Sequence, residues 1–275
     1  MLKQRVITAV LLLLVLLPAL AAQAAWPFGL LTLVMIGAAG WEWARLNGRS
    51  GAGSVSSGLM LAFVSMAAGL TGMVVPPWMW WAAVLLWVLG GTAVLRLGVP
   101  AWPQLPPGWR QLGGLLMLWL AWLAIWTAHG RGLNFLLSLF CLVWAADIAA
   151  YFGGKAFGRR KLALSISPGK SWEGAFSGML GVLVVAGLWM YLDTRLPVDG
   201  PSLYTVLWQR WGGALAVLCC LFLASMSVVG DLFESLVKRA AGVKDSSGLL
   251  PGHGGVLDRI DALLPVCPLA LALIQ

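Results

Sequence analysis

Apolar runs, broken by short polar turns, follow one another from the first residues of the chain to the last. The runs are long and do not alternate in hydrophobicity, so they fit helices of roughly 20 residues, the length that crosses a bilayer. Barrel strands of about ten alternating residues do not fit. Nine spans are predicted, over about 6–23, 26–44, 56–75, 78–96, 111–128, 133–152, 173–192, 212–231 and 258–275. The last is the weakest, because it is short and holds Pro265 and Pro268. The predicted fold class is all-α, a polytopic transmembrane helix bundle.

Composition reinforces the pattern. Of 275 residues, 60% are hydrophobic and 10% are charged, against about 25% charged in a soluble domain. Lipid must cover the apolar surplus, and only helices or closed barrels satisfy the backbone there. The basic residues set the direction of threading. With the N-terminus in the cytoplasm, 15 of the 18 Lys and Arg residues fall inside, and Arg131, Arg195 and Arg210 fall outside, as the positive-inside rule requires. The net charge of +8 is then concentrated on one face, which attracts anionic headgroups and nucleotides. Lys3, Arg5, the run Val6 to Leu17 and Ala22-Gln23-Ala24 resemble a signal peptide, but an uncleaved first span is the expectation. The four cysteines lie in apolar spans without metal-site spacing. Tryptophans at span ends, such as Trp78, Trp80, Trp81 and Trp102, read as interfacial anchors.

The acidic residues divide the chain. Residues 1–130 hold one, Glu42, and read as scaffold helices; residues 131–275 hold nine and read as the catalytic region, the two forming one integrated membrane domain. No internal repeat is found. Asp193 and Asp199 occupy an outer loop with Arg195 and read as solvated surface. The other seven gather on the predicted cytoplasmic side among lysines and arginines.

Two stretches there could carry chemistry. Asp231, Glu234, Ser235 and Lys238 stand at i, i+3, i+4 and i+7, one face of a helix that leaves the membrane. Asp258 and Asp261 repeat the i, i+3 spacing after a glycine-rich loop containing Lys244, Asp245 and His253. Carboxylates converging from two helix ends repel one another. They therefore either pair with Lys238, Arg239 and Arg259 as a solvated collar or hold a hard cation such as Mg²⁺. The second stretch, 147–174, combines Asp147, Tyr151, Lys155, Arg159, Arg160, Lys161, Lys170 and Ser171 with several glycines. Ser171 could cap the following helix, whose free N–H groups suit an anion. Gly169-Lys170-Ser171 lacks the first glycine and the preceding strand of a phosphate loop, and the stretch also reads as an ordinary positive-inside segment. His253, flanked by glycines, is placed at the site; His129, alone in an outward loop, is not.

Ser235, Lys238-Arg239, Lys244-Asp245, Ser247, Leu250-Pro251, His253-Gly254-Gly255-Val256 and Asp258-Arg259-Ile260-Asp261 together resemble the signature of the phosphatidate cytidylyltransferase family. Gly230-Asp231, Ala150-Tyr151-Phe152 and the segment from Ser167 to Gly174 also fit it. Two departures are mild: Ile148 follows Asp147 where the family has Ser or Thr, and Ser171 stands for Thr.

The resemblance implies transfer of a cytidylyl group from CTP to phosphatidate with release of pyrophosphate. It implies a multi-pass inner-membrane homodimer that contacts membrane lipids and no nucleic acid, with its active site facing the cytoplasm. It also implies dependence on Mg²⁺, in one or two ions, with Asp231, Asp258 and Asp261 as ligands and as catalytic residues beside Lys238 and His253. Lys170, Ser171, Ser235, Arg239, Lys244, Asp245 and Arg259 would bind substrate. An ion-coupled transporter is the alternative outside the family, but it would set carboxylates near the midplane in both halves. A CTP-using polyprenol kinase is the nearer alternative.

Overall fold

A computed structural model describes residues 2–275, apart from the side chains of Leu2, Lys3 and Arg5. The contribution of Lys3 and Arg5 to the charge count thus lies outside the described side chains. The helices are α1 (Leu2–Ala21), α2 (Trp26–Leu46), α3 (Gly51–Leu70), α4 (Pro77–Leu85), α5 (Thr92–Leu97), α6 (Pro107–His129), α7 (Leu133–Phe157), α8 (Trp172–Asp193), α9 (Leu203–Ala240), α10 (Leu257–Ile260) and α11 (Leu263–Leu273). A π-helical stretch, Leu86–Gly91, joins α4 to α5. Six helical stretches are long and apolar enough to cross a membrane: Gly51–Leu70, Pro77–Leu97, Pro107–His129, Leu133–Phe157, Trp172–Asp193 and Leu203–Ala240. Their outward faces carry bare apolar side chains, among them Leu59, Phe63, Leu180 and Val184. Such surface must be covered, by lipid or by another protein chain.

The sequence pattern and the structure part company in four places. The segment expected to form a ninth span is broken into α10 and α11. From Leu263 to Ala272 every residue of α11 is buried, and it packs on α4, α6 and α9. Its apolar character belongs to the protein core, since a helix that is hydrophobic all round need not face lipid. Helix α9 begins earlier than expected and kinks at Gly212 (φ 72°), close to where the hydropathic span starts. Trp80 and Trp102 are not interfacial anchors but core residues, 1% and 5% exposed. Trp102 packs edge-on to Trp43 and Phe233, while Trp43 stacks on Phe233 at 6.1 Å. This aromatic cluster fixes α2 to the end of α9 that bears the charged face.

The fourth difference is a small antiparallel hairpin, β1 (Lys161–Ala163) and β2 (Ser167–Ser171), in a stretch that reads as loop. Its second strand runs straight into α8. Ser171 caps that helix by accepting from the Gly174 N–H at 3.2 Å, as its position suggests. The Glu173 carboxylate accepts from the backbone N–H groups of Arg159 and Arg160 at 3.0 and 3.1 Å, and so ties the end of α7 to the start of α8.

Candidate active site

The charged side chains meet where the last turns of α9, the hairpin and the α10 segment converge. Close approach of backbones makes this possible. A Cβ at position 230 would lie 2.5 Å from the Asp261 carbonyl oxygen and 2.8 Å from the Pro265 ring, so a glycine there lets α9 pack directly on the α10–α11 junction. Asp231, the next residue, is thereby set beside Asp261. The two carboxylates feel each other. Burial, and then the charge of Asp231, push the Asp261 carboxyl above the ordinary carboxylate range.

Two lysines divide the acidic residues between them. Lys170, from β2, pairs with Asp231, whose other oxygen accepts from Ser235 Oγ at 3.3 Å. Lys238 lies between Glu234 and Asp258, with its Nζ 2.5 Å from a carboxylate oxygen of each. Glu234 is 1% exposed, so its charge has no water to solvate it. Asp258 is held further by the N–H and Oγ of Ser246, at 2.9 and 2.7 Å, and by the Gly255 N–H at 2.7 Å. Burial raises this carboxyl, but the Lys238, Gly255 and Ser246 hydrogen bonds outweigh it and hold Asp258 below its ordinary value.

Beside this face lies a cavity of about 540 Å³, lined among others by Asp147, Tyr151, Lys155, Lys170, Ser171 and Asp231. It brings the two stretches singled out in the sequence into one place. Arg239 holds the hairpin to α9 through the Ile166 carbonyl at 3.4 Å. Lys244, Asp245 and Arg259 are exposed. The Nδ1 of His253 is buried and has no hydrogen-bond partner among the described residues.

Sequence reasoning missed Ser246 and Glu42. Glu42, on α2, is completely buried. Its carboxylate accepts from Ser247 Oγ at 2.5 Å, Val256 N at 3.0 Å, Leu257 N at 2.7 Å and Ser246 Oγ at 3.3 Å. As the single acidic residue of the first 130 positions, placed within an apolar run, it carried a usable signal, because ionisable groups in such runs are costly unless partnered.

A family model described as the cytidylyltransferase family matches residues 3–275. The chain belongs to the cytidylyltransferase family. Across 283 residues it is 38% identical to a phosphatidate cytidylyltransferase of Pseudomonas aeruginosa, which covers 100% of this chain and 97% of that one. It is 46% identical over 138 residues to a phosphatidate cytidylyltransferase of Haemophilus influenzae, 50% of this chain and 44% of the relative. It is 43% identical over 152 residues to the chloroplastic phosphatidate cytidylyltransferase 5 of Arabidopsis thaliana, 55% of this chain and 34% of that one. Within this cytidylyltransferase the signature glycines have structural reasons: a Cβ at position 255 would collide with both Ser246 Oγ and a Glu42 carboxylate oxygen.

The donor set suits a hard cation. Among the described residues no three His, Cys, Asp or Glu side chains close on a common point as a metal cage. Mg²⁺ does not need one, being commonly bound by one or two carboxylates plus substrate phosphates and water. Here Asp147, Asp231, Glu234, Asp258 and Asp261 face Lys170 and Lys238, with Arg259 also acting on Asp147 and Lys155 on the cavity wall. Carboxylates and cations are thus interleaved at the site.

Proposed function

We propose that the chain transfers the cytidylyl group of CTP to phosphatidate, giving CDP-diacylglycerol and pyrophosphate. The observation that carries this reading is the family match over residues 3–275, joined to a charged face in which lysines and carboxylates are interleaved beside a largely apolar cavity that Asp147, Lys155, Lys170 and Asp231 enter. The phosphate monoester of phosphatidate is largely dianionic near neutral pH, its second pKa being about 6. The nucleophile is already ionised and needs no strong base. What must be overcome is repulsion, as a dianion attacks the α-phosphorus of a polyanionic nucleotide in line. Lys170, Lys238, Arg239 and Lys244 neutralise the phosphates, Ser171 and Ser235 supply hydroxyl donors, and His253 donates a hydrogen bond. Asp245 and Arg259 complete the substrate shell. Catalysis is positioning and charge neutralisation.

Asp231 and Asp261 would hold Mg²⁺ together with substrate phosphate and water, and Asp258, engaged by Lys238, Ser246 and Gly255, would join them only on release from Lys238. The ion would stabilise the charge developing on the α-phosphate and on the departing pyrophosphate. The chain is read as N-terminus inside, with α1 and α2 adding two crossings to the six long helices. In this reading the site faces the cytoplasm at a bacterial inner membrane, the enzyme works as a homodimer, and the acyl chains of its substrate stay in the bilayer. Purified protein in detergent, given phosphatidate, labelled CTP and Mg²⁺, should produce lipid-soluble cytidine. EDTA should silence it. Release of CDP and a phosphorylated alcohol from a polyprenol substrate would support the kinase instead.

A further inference from the structure

We infer that Glu42 is a positioning residue for the reaction, acting through Ser246 to set the Asp258 carboxylate and the loop that presents it. The inference rests on the proposed activity for its turnover readout, but its geometry stands apart from it. A buried carboxylate is stable only when its lone pairs are satisfied. Every hydrogen bond that Glu42 accepts comes from a neutral donor within residues 246–257. A loop lifted off α2 would leave that carboxylate bare, so the loop is latched to a helix that is otherwise scaffold. Thr8 of α1 adds a second tie, donating to the Pro251 carbonyl at 2.8 Å.

The chemistry selects a carboxylate over its amide. One oxygen faces the Val256 N–H and the other faces the Leu257 N–H. A glutamine, whichever way its amide is turned, would put an NH₂ against a backbone N–H. Ser246 then relays the constraint, because its hydroxyl oxygen stands within reach of both carboxylates, Asp258 at 2.7 Å and Glu42 at 3.3 Å, and its one proton serves one of them at a time. Asp258 is thereby aimed with one oxygen on Ser246 and Gly255 and the other turned to Lys238. Partners of this kind, which touch no substrate, commonly change activity about 10- to 100-fold when removed.

The test compares full-length wild type, Glu42→Gln, Ser246→Ala and the double variant in detergent, with kcat and KM for CTP per folded molecule and hydrogen exchange of the backbone amides. In Glu42→Gln, kcat should fall about 10- to 100-fold, with KM for CTP little changed, and the Val256 and Leu257 amides should exchange faster while those of α7 and α8 stay protected. Ser246→Ala should lower kcat by a smaller factor, and the double variant should lose less than the product of the single losses. Normal kcat per folded molecule in Glu42→Gln, unchanged exchange at Val256 and Leu257, or multiplicative losses in the double variant would each overturn the inference. Should Glu42→Gln fail to fold, Ser246→Ala decides alone, since it keeps both backbone bonds to Glu42; an unchanged kcat there is equally fatal. A wild type that makes no CDP-lipid defeats the proposed activity instead, and the exchange result still judges the latch.

Discussion

The two ends of α7 hold carboxylates of opposite kinds. At its start, Asp193 accepts from the Ser202 N–H at 3.0 Å, the Thr205 hydroxyl at 2.6 Å and the Asn134 amide at 2.9 Å. Asp199 accepts from the Leu133 and Asn134 N–H groups. These are neutral donors at the first turns of α7 and α9, the positions that lack partners of their own. The sequence suggests solvated surface there; Asp199 is exposed as expected and Asp193 is half-buried, and the two also staple a pair of helix starts together. At the far end, Asp231, Glu234 and Asp258 are met by lysine ammoniums instead. A neutral staple leaves nothing for a ligand to exchange. A lysine can release a carboxylate to a cation and turn to a phosphate, so the second arrangement is the one that can do chemistry.

The sharpest way to break this contrast is at Asp258. Asp258→Asn removes the charge and turns an NH₂ against either Lys238 or the Ser246 and Gly255 N–H groups, so turnover should fall by on the order of 10³-fold and melting should drop as well, while membrane insertion is kept. Near-wild-type production of CDP-lipid would put Asp258 with the staples. Lys238→Met should do damage of both kinds. Turnover should drop by on the order of 10²-fold, and stability should fall by about 3 kcal/mol, the usual cost of stranding a buried charge. Thermal denaturation in detergent separates the two effects, and a variant that melts normally would show that Lys238 does not hold Glu234 and Asp258 together. Lys170→Met lies between. Its pair with Asp231 is about one-quarter exposed on each side, so little stability should be lost, but turnover should still fall by roughly 10²-fold. Unaltered turnover would remove the hairpin from the site.

Much of this was legible in the order of residues, and the rest was hidden for physical reasons. Hydropathy places the helices because the bilayer demands length and apolarity, and both are local properties of the sequence. It misjudges α11, because burial in protein and burial in lipid select the same side chains. The i, i+3, i+4, i+7 face of α9 is readable from helix geometry alone, and the pairing of Lys238 with Glu234 follows from it. Lys238 with Asp258, Lys170 with Asp231 and Glu42 with Ser246 are contacts between distant segments, which no spacing rule reports. Glu42 was conspicuous as a charge in an apolar run, but its partners, two hydroxyls and two backbone amides, have no sequence signature. Gly230 and Gly255 lie in the segments that resemble the family's signature, and only the packing of α9 on Asp261 and of Glu42 on the loop explains why a side chain is barred there.

The smallest expected effect tests the other side of the contrast. Asp199→Ala removes the acceptor for two N–H groups at the start of α7 and nothing else that the charged face uses. Loss of a helix cap typically costs about 1 kcal/mol, so melting should shift by a few degrees at most. Turnover per folded molecule should hold, because α7 spans 25 residues, about 37 Å at 1.5 Å per residue, and the charged face lies at its other end. The cost should also be insensitive to added Mg²⁺ or CTP, since neither has a reason to bind where every carboxylate oxygen already has a neutral donor. A marked loss of kcat in Asp199→Ala, with melting unchanged, would mean that the staple communicates with the lysine-paired end along α7 and that the two kinds of carboxylate are not independent.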